Sequence, residues 1–309
     1  MKRRYYTLLL LLILLVFACG GPSVKKTPET SHYGMKELRK GIGWYQKGCY
    51  HKSLEHFMKA NELFAASDHL TGTAMTMNNM GNVYRLIGDS KSANLFFDES
   101  YAIYSDLNQP EGAIQALANK SALLIDTNAF DEAEAVIQKA ESMAGASGIV
   151  SISLLNNKGV LLTKRKDYIA AENALKQALS TATPESFRSI ATVNASLGNL
   201  QMERGEYEQA IEFFSKALEA DRAADFHVGL ADDLTAIGTV YYLQKKYEIA
   251  LKYFKRSIKI HALFGNREKV MSIYGMMEAA AETTGIDISV TRHFVDKWTA
   301  GELMESPCK

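Results

Sequence analysis

Two stretches repeat one pattern: RGEYEQAIEFFSKAL at residues 204–218 and KKYEIALKYFKRSI at residues 245–258. Counting from Gly238, a tyrosine lies nine residues downstream, an alanine twelve and a phenylalanine sixteen. Five other small residues are anchors with comparable residue types at these offsets: Gly41, Gly81, Ser121, Gly159 and Gly198. Because successive anchors are 38 to 40 residues apart, the chain contains six copies of one unit.

The spacing within each unit predicts a pair of antiparallel helices. A small residue at the anchor lets the two helices approach closely, and the large residue sixteen positions later fills the space beside it. A single helical hairpin cannot bury its apolar face, so neighbouring units must stack and share one core. The composition, with only 5 prolines in 309 residues and 47% hydrophobic residues, also favours long helices over strands. We therefore expect an all-α fold.

The repeated unit resembles the tetratricopeptide repeat (TPR) family. This resemblance implies a right-handed superhelical solenoid of antiparallel helix pairs over residues 35–300, with six repeats and a degenerate C-terminal capping unit. That last unit is reached by counting from Glu278 to Phe294, with Trp298 nearby. Repeats in the family are most often 34 residues long, and this chain resembles the subgroup with repeats near 40, which often hold extended peptides. Residues 301–309 are expected to form a loose tail.

The N-terminus has the features of a bacterial lipoprotein signal. Three cationic residues precede an apolar run at residues 8–16, which is too short to span a membrane. The following residues, ending in Ala18 and Cys19, resemble a lipobox, which implies a signal peptide at residues 1–18 and a diacylglycerol group on Cys19. Residues 19–34 then form a flexible tether. Since Gly20 rather than aspartate follows Cys19, the resemblance implies an outer-membrane anchor facing the periplasm. The alternative is an ordinary signal peptide cleaved near Ala18.

Composition and motifs exclude several classes of function. Lysine plus arginine number 35 and so do aspartate plus glutamate, so no strong charge favours nucleic acid as a partner. The sequence has no Walker A, Gly-x-Ser-x-Gly or His-Glu-x-x-His motif. We therefore expect no catalytic activity, no cofactor and no metal. The rival hypothesis is an enzyme or ligand receptor with a pocket around His293, Asp296 and Trp298.

The remaining cysteines are expected not to pair. Cys49 belongs to the first unit and Cys308 to the tail, so a long solenoid would place them at opposite ends. A disulfide needs α-carbons within about 7 Å. The expectation is therefore that Cys49 is a small packing residue.

A series of asparagines marks a candidate peptide groove on the first helix of each unit, which lines the concave face in this family. They are Asn78, Asn79, Asn82, Asn119, Asn156, Asn157 and Asn199. Asparagines at the position two before the anchor should form a column, and an amide both donates and accepts, as a peptide bond does. Two interpretations stay open, because the same side chains could instead hydrogen-bond between helices and stabilise the stack.

These observations predict a membrane-anchored interaction scaffold of the cell envelope that binds a partner protein or peptide in its concave groove. The resemblance suggests two models, a pilotin-like factor that assembles a secretin and an adaptor that gathers peptidoglycan-modifying enzymes. Self-association is a further possibility, since repeat arrays have open ends. A receptor for chaperone C-termini is disfavoured, because Asn78, Ser153 and Asn157 occupy positions where that class carries cations.

Overall fold

The computed structural model describes residues 29–303 and 307–308, which contain fourteen α-helices and no β-strand. The helices are α1 Glu29–Gln46, α2 Tyr50–Ala66, α3 Leu70–Leu86, α4 Ser90–Asp106, α5 Pro110–Asp126, α6 Phe130–Ser147, α7 Ile152–Lys164, α8 Tyr168–Thr181, α9 Phe187–Glu203, α10 Tyr207–Ala223, α11 His227–Leu243, α12 Tyr247–Leu263, α13 Arg267–Thr284 and α14 Ser289–Thr299. Consecutive helices from α1 to α12 pack as antiparallel pairs, each pair packs on the next, and α13 packs on α12. The predicted all-α solenoid is confirmed.

Each anchor glycine lies where the two helices of its repeat meet. A Cβ atom placed on Gly81 would lie 2.5 Å from the ring of Phe97, sixteen residues later, and one on Gly238 would lie 2.7 Å from the ring of Phe254. Both phenylalanines are fully buried. The glycine therefore makes room for the ring, and this pairing holds the two helices of a repeat together.

The length of the repeat comes from its helices. Most helices have 17 residues, and most connections between them have three residues. The fourth repeat is shorter, because α7 has 13 residues and α8 has 14. The extra residues relative to a 34-residue repeat therefore extend the helices and leave the turns short.

Helix α1 begins at Glu29, six residues before the predicted start of the solenoid, so residues 29–34 are helical and not part of a tether. Two contacts explain why the helix extends this far. The hydroxyl of Ser31 donates to that of Ser67 over 2.9 Å, and Gly34 lies against the ring of Phe64. The side chains that favour a helix at residues 29–34 thus belong to α2 and to Ser67, which directly follows it.

The C-terminal pair closes the last repeat, as expected for a capping unit. Trp298 of α14 donates its indole N–H to the backbone oxygen of Ala262 in α12 over 3.0 Å. Val295 of α14 and Met277 of α13 join the same buried cluster as Phe254 of α12. The degenerate unit therefore covers the apolar face that the sixth repeat leaves open.

The odd-numbered helices line the inner side of the superhelix. Successive odd helices contact one another in several places along the array, whereas the described even helices show no comparable contact with the next even helix. The array also turns far enough for its first repeat to reach its sixth. Gly48, between α1 and α2, lies against Val228 at the start of α11.

A disulfide bond joins Cys49 to Cys308, so the expectation that these cysteines stay apart is wrong. Their α-carbons are 5.2 Å apart although 259 positions separate them in sequence. The expectation treated the solenoid as a straight rod. The superhelical turn brings the first repeat back to the C-terminal end, and this places the two cysteines side by side.

None of the helices in residues 29–303 is long and apolar enough to cross a membrane. The predicted signal peptide and Cys19 lie outside the described residues.

Candidate functional site

A cavity of about 800 Å³ opens on the inner side of the second to fourth repeats. We call it the amide cavity. It is lined by Thr71, Met75, Asn78 and Asn79 of α3, Tyr104 and residues 108–112 around the α4–α5 connection, Ile114 and Gln115 of α5, and Ile149, Val150 and Ser151 before α7. Two of the seven predicted groove asparagines, Asn78 and Asn79, thus line it. Its size suits a short segment of a ligand.

The lining of the amide cavity is nearly uncharged. Glu111 is its only ionisable carboxylate, and no lysine, arginine or histidine lines it. Burial raises the pKa of Tyr104 to about 12, so its phenol stays protonated at neutral pH. The cavity therefore offers amide and hydroxyl groups beside the apolar side chains of Met75 and Ile114, a combination suited to a neutral ligand.

Asn119 joins the second and third repeats. Its side-chain nitrogen donates to the Asn78 side-chain oxygen over 2.9 Å, and its own oxygen accepts from Gln115 over 3.0 Å. This chain of three amides runs from α5 to α3. Asn119 thus has a structural role in the stack, and it orients Asn78 at the edge of the amide cavity.

Asn157 joins the third and fourth repeats from a buried position. Its side-chain nitrogen donates to the Ala118 backbone oxygen over 2.6 Å and to the Ser121 hydroxyl over 3.1 Å. The neighbouring Asn156 is also buried, and its side-chain oxygen has no hydrogen-bond partner among the described residues. Neither side chain lines the amide cavity. At these two positions the contacts match the stack-stabilising alternative.

Asn78 and Asn79 keep free hydrogen-bonding atoms. The Asn79 side-chain nitrogen donates to the Met75 backbone oxygen over 2.7 Å, whereas its oxygen has no partner among the described residues. The Asn78 side-chain nitrogen is likewise unpaired there. Asn82 is half-buried and Asn199 is exposed, and both lie outside the cavity lining. The predicted column therefore divides into residues that support the stack and two that face a cavity.

The rival C-terminal pocket is not assembled. His293 and Asp296 are exposed, whereas Trp298 packs against α12 through its bond to Ala262. The three side chains line no common cavity among those found in the described residues. In the same part of the chain, no group of three or more histidine, cysteine, aspartate or glutamate side chains could hold a metal ion.

Sequence reasoning missed the part of the amide cavity that lies at helix starts. Gln109, which precedes α5, donates to the Thr71 hydroxyl at the start of α3 over 3.0 Å. Ile149 and Val150 come from the connection before α7, which repeats no pattern. One available signal was the sequence Asn108-Gln109-Pro110, because proline favours the first turn of a helix. It marks where α5 begins.

Comparisons with known proteins identify the repeat. A family model described as Tetratricopeptide repeat matches residues 41–106 and 189–262, and a second model with the same description matches residues 151–183. Anaphase-promoting complex subunit CDC16 of Saccharomyces cerevisiae is 23% identical over 226 residues, which are 71% of this chain. That alignment spans only 25% of the yeast protein.

The solved structures that share the fold include two Rap proteins. One is the Rap conjugation gene regulator of the plasmid pLS20 in complex with the Phr* peptide, with a TM-score of 0.63 and 18% identity. The alignment covers 92% of this chain and 79% of that one. The other is a Rap protein complexed with Competence and Sporulation Factor, with a TM-score of 0.58, 13% identity, and coverage of 84% of this chain and 77% of that one.

Proposed function

Because this chain belongs to the tetratricopeptide repeat family, we propose that it is an interaction scaffold of the bacterial cell envelope. A lipid on Cys19 anchors it to the outer membrane on the periplasmic side. The amide cavity holds an extended, uncharged segment of a partner protein. The partner therefore binds through a stretch of its chain whose peptide bonds are exposed.

The observation that carries this proposal is the pair of free amide atoms at Asn78 and Asn79. An unpaired side-chain nitrogen and an unpaired side-chain oxygen lie on adjacent residues that line one cavity. A peptide unit presents the complementary carbonyl and N–H whatever its side chain is. Without a cation in the lining, the cavity has nothing to pair with a carboxylate, so a neutral segment fits it better than an acidic tail.

The solved structures support the peptide part of the proposal. The Rap regulator that aligns over 92% of this chain was solved with the Phr* peptide bound. A solenoid of this size thus accommodates a peptide in a relative with the same fold.

A pair of arginine substitutions tests the cavity. Val150 lines it and is 61% exposed, and Leu95, on the outer helix α4, is 61% exposed and lies outside it. Val150→Arg puts a long cation into the neutral cavity, whereas Leu95→Arg places the same change at a site of equal exposure. Both variants should fold, since neither side chain is buried.

The measurement is photo-crosslinking from position 150 of the full chain in native membranes, followed by binding of synthetic segments of the captured partner. We expect one uncharged segment to bind wild type and Leu95→Arg equally and to bind Val150→Arg at least about tenfold more weakly, from clash and desolvation. Equal binding by all three proteins would show that the segment binds elsewhere.

The proposed lipid attachment at Cys19 has a separate test. Mass spectrometry of the mature protein should find a diacylglycerol-modified Cys19 at the N-terminus, and Cys19→Ala should release the protein from the membrane fraction, because the lipid supplies the attachment. An unmodified mature chain that begins near residue 19 would instead support the ordinary signal peptide.

A further inference from the structure

The superhelix closes on itself along a narrow contact. Its first side is the turn between α1 and α2, and its second side is formed by the starts of α9 and α11 and by the tail. We call this contact the closing seam. Its residues are Tyr45, Gly48 and Cys49 on the first side and Arg188, Phe226, Val228 and Cys308 on the second.

Arg188 makes a cation–π contact across the closing seam. The guanidinium carbon of Arg188 lies 5.2 Å from the centre of the Tyr45 ring and 4.2 Å from the centre of the Phe226 ring. Arg188 forms no salt bridge with the described residues, but its charge opposes the rise in pKa that burial causes at the Asp221 carboxyl. Of the two cation–π contacts, only the one with Tyr45 crosses the closing seam, since Phe226 lies on the same side as Arg188, and a single cation–π contact is of modest strength.

The hydrophobic cores stop on either side of the closing seam. The core of the first repeats contains Leu38 and Phe57, and the core of the last repeats contains Phe254 and Ile273, with no residue of repeat 1 in the latter. Two cavities of about 330 and 460 Å³ adjoin the disulfide instead. A contact without a shared core is weak in itself, so the closing seam stays shut mainly because of the covalent bond.

The closure shapes access to the amide cavity. The odd helices surround the inner space, and the closing seam joins α1 to the starts of α9 and α11. While the seam is shut, a ligand enters this space along the superhelix axis. A chain end or a narrow loop can do so, whereas a long segment fixed in a folded protein at both ends is hindered.

We propose that the Cys49–Cys308 disulfide is a redox latch on the closing seam, which keeps the superhelix shut around the segment bound in the amide cavity. The oxidised latch slows exchange of that segment. Reduction frees the first repeat to move away from the sixth, and the bound segment can then leave through the opened seam. The closure itself stands on the contacts above, and its effect on a bound segment rests on the proposed function.

The reduction is a thiol–disulfide exchange with an external dithiol. Cys308 is half-buried whereas Cys49 is 2% exposed, so the thiolate of the reductant attacks Cys308 Sγ. The Cys49–Cys308 bond breaks, and Cys49 leaves as a thiolate and takes up a proton. The second thiol of the reductant then displaces Cys308, which also gains a proton. The protein gains two electrons and two protons, and the dithiol becomes a disulfide.

The first test needs no ligand. Small-angle X-ray scattering and hydrogen exchange are measured on the full chain, oxidised and after reduction with dithiothreitol, and on the Cys49→Ser/Cys308→Ser variant. We expect reduction to increase the radius of gyration and to speed amide exchange at residues 45–49 and 226–228. The double variant should have the radius of gyration and exchange rates of reduced wild type, and adding dithiothreitol should not change them. An unchanged radius and exchange pattern would overturn the latch.

The second test uses a peptide of Asn, Gln and Ser with blocked ends and an uncharged coumarin label as a neutral probe of the amide cavity. We expect the probe to dissociate at least about tenfold faster from the reduced chain than from the oxidised one, because a single cation–π contact across the closing seam is too weak to keep it shut. Equal dissociation rates in both states would overturn control of the cavity by the latch. Failure of the probe to bind in either state would count against the proposed function, while the scattering result would still decide the latch.

Discussion

At the scale of single residues, the short turns have one recurring feature. Each three-residue connection has a central residue with positive φ, and these central residues are Gly48, Asp68, Gly88, Asn108, Asn128, Lys166, Gly205, Asp225, Lys245 and Gly265. The left-handed conformation costs a residue with a Cβ about 1–2 kcal/mol relative to its right-handed form. Six of these turns carry this cost, because their central residue is not glycine. A longer connection would avoid the left-handed conformation, but it would separate the stacked helices.

Gly205 isolates this backbone effect. Its φ is +79°, and an added Cβ would meet no atom within 4 Å. Gly205→Ala should therefore destabilise the fold by about 1 kcal/mol through conformation alone. The matched control is Gly145→Ala in α6, where the space is equally open and φ is ordinary, which should stabilise by about 0.5–1 kcal/mol. Urea unfolding of both variants measures the difference. Shifts of the same sign would contradict the turn argument.

The anchor position tests packing instead. Gly81→Ala would place a Cβ 2.5 Å from the buried Phe97 ring, so we expect a loss of about 1–3 kcal/mol in the free energy of unfolding. The third repeat shows how a larger anchor is accommodated, since Ser121 occurs there with Ile137 sixteen residues later.

Adding Phe97→Ile to Gly81→Ala copies that arrangement. The double variant should recover part of the loss, and urea unfolding of the two single variants and the double variant forms the cycle that measures the coupling. If the two effects simply add, the glycine and the ring are not packed as described.

At the scale of elements, the contact between the fifth and sixth repeats contains two buried carboxyl groups. Asp221 near the end of α10 is 6% exposed and Asp233 of α11 is 4% exposed. Burial raises the pKa of Asp221 to about 7 and that of Asp233 to about 8. The nearby charge of Arg188 opposes the shift at Asp221, whereas neighbouring aspartates raise the pKa of both groups. Since a buried carboxylate without a full set of partners is costly, this contact is tightest when the two groups are protonated.

This arrangement makes stability depend on pH. Both folded-state pKa values are above the unfolded value of 3.8, so the folded state retains protons that the unfolded state loses. The stabilisation is complete below about pH 4 and is lost as the pH rises through about 7 to 8. We expect urea unfolding to show lower stability at pH 9 than at pH 5, by about 2 kcal/mol or more.

Asp233→Asn should reduce that dependence, because an amide stays neutral across the range. It should also raise stability at pH 8. Asp126→Asn is the matched control, since the Asp126 side chain is 54% exposed and pairs with Arg85 at the surface. A pH dependence equal in wild type and Asp233→Asn would show that Asp233 is already ionised in the folded protein.

The element scale also shows what the sequence could predict. The offsets from Gly238 predicted the helix pairs and the buried Phe254, because these contacts lie within one repeat and recur in each. Whether Asn119 and Asn157 bind a ligand or hydrogen-bond between repeats was harder to predict. Their partners, Asn78 and Ala118, belong to the preceding repeat, so small shifts between repeats decide which amide stays free.

At the scale of the whole molecule, closure could not be predicted from local patterns. It depends on the accumulated rotation of six repeats, to which each connection adds a small amount. The one sequence signal for it was the pair of cysteines that remains after Cys19 is set aside. The closing seam changes the mechanics of the array, because repeats that contact only their neighbours tend to unfold from the ends. Here the first repeat is covalently tied to the C-terminal tail.

The disulfide should therefore stabilise the ends of the array most. In the chain-entropy model, a bond that closes a loop of 259 positions destabilises the unfolded chain by about 5.6 kcal/mol, an upper value for a solenoid that unfolds in parts. We expect reduction to lower the urea midpoint and to broaden the transition, with α1 and α14 losing amide protection before α5 and α7.

The Cys49→Ser/Cys308→Ser variant should show the same early loss of amide protection in α1 and α14 with and without reductant. Since this variant keeps Cys19, it separates the effect of the disulfide from any effect of the reductant on Cys19. The inner helices serve as the internal standard, since each is packed between two neighbouring repeats whether or not the bond is present. If α5 lost protection together with α14 in the reduced chain, unfolding would be cooperative across all repeats. The stacked cores alone would then hold the ends, and the bond would matter for access to the amide cavity rather than for stability.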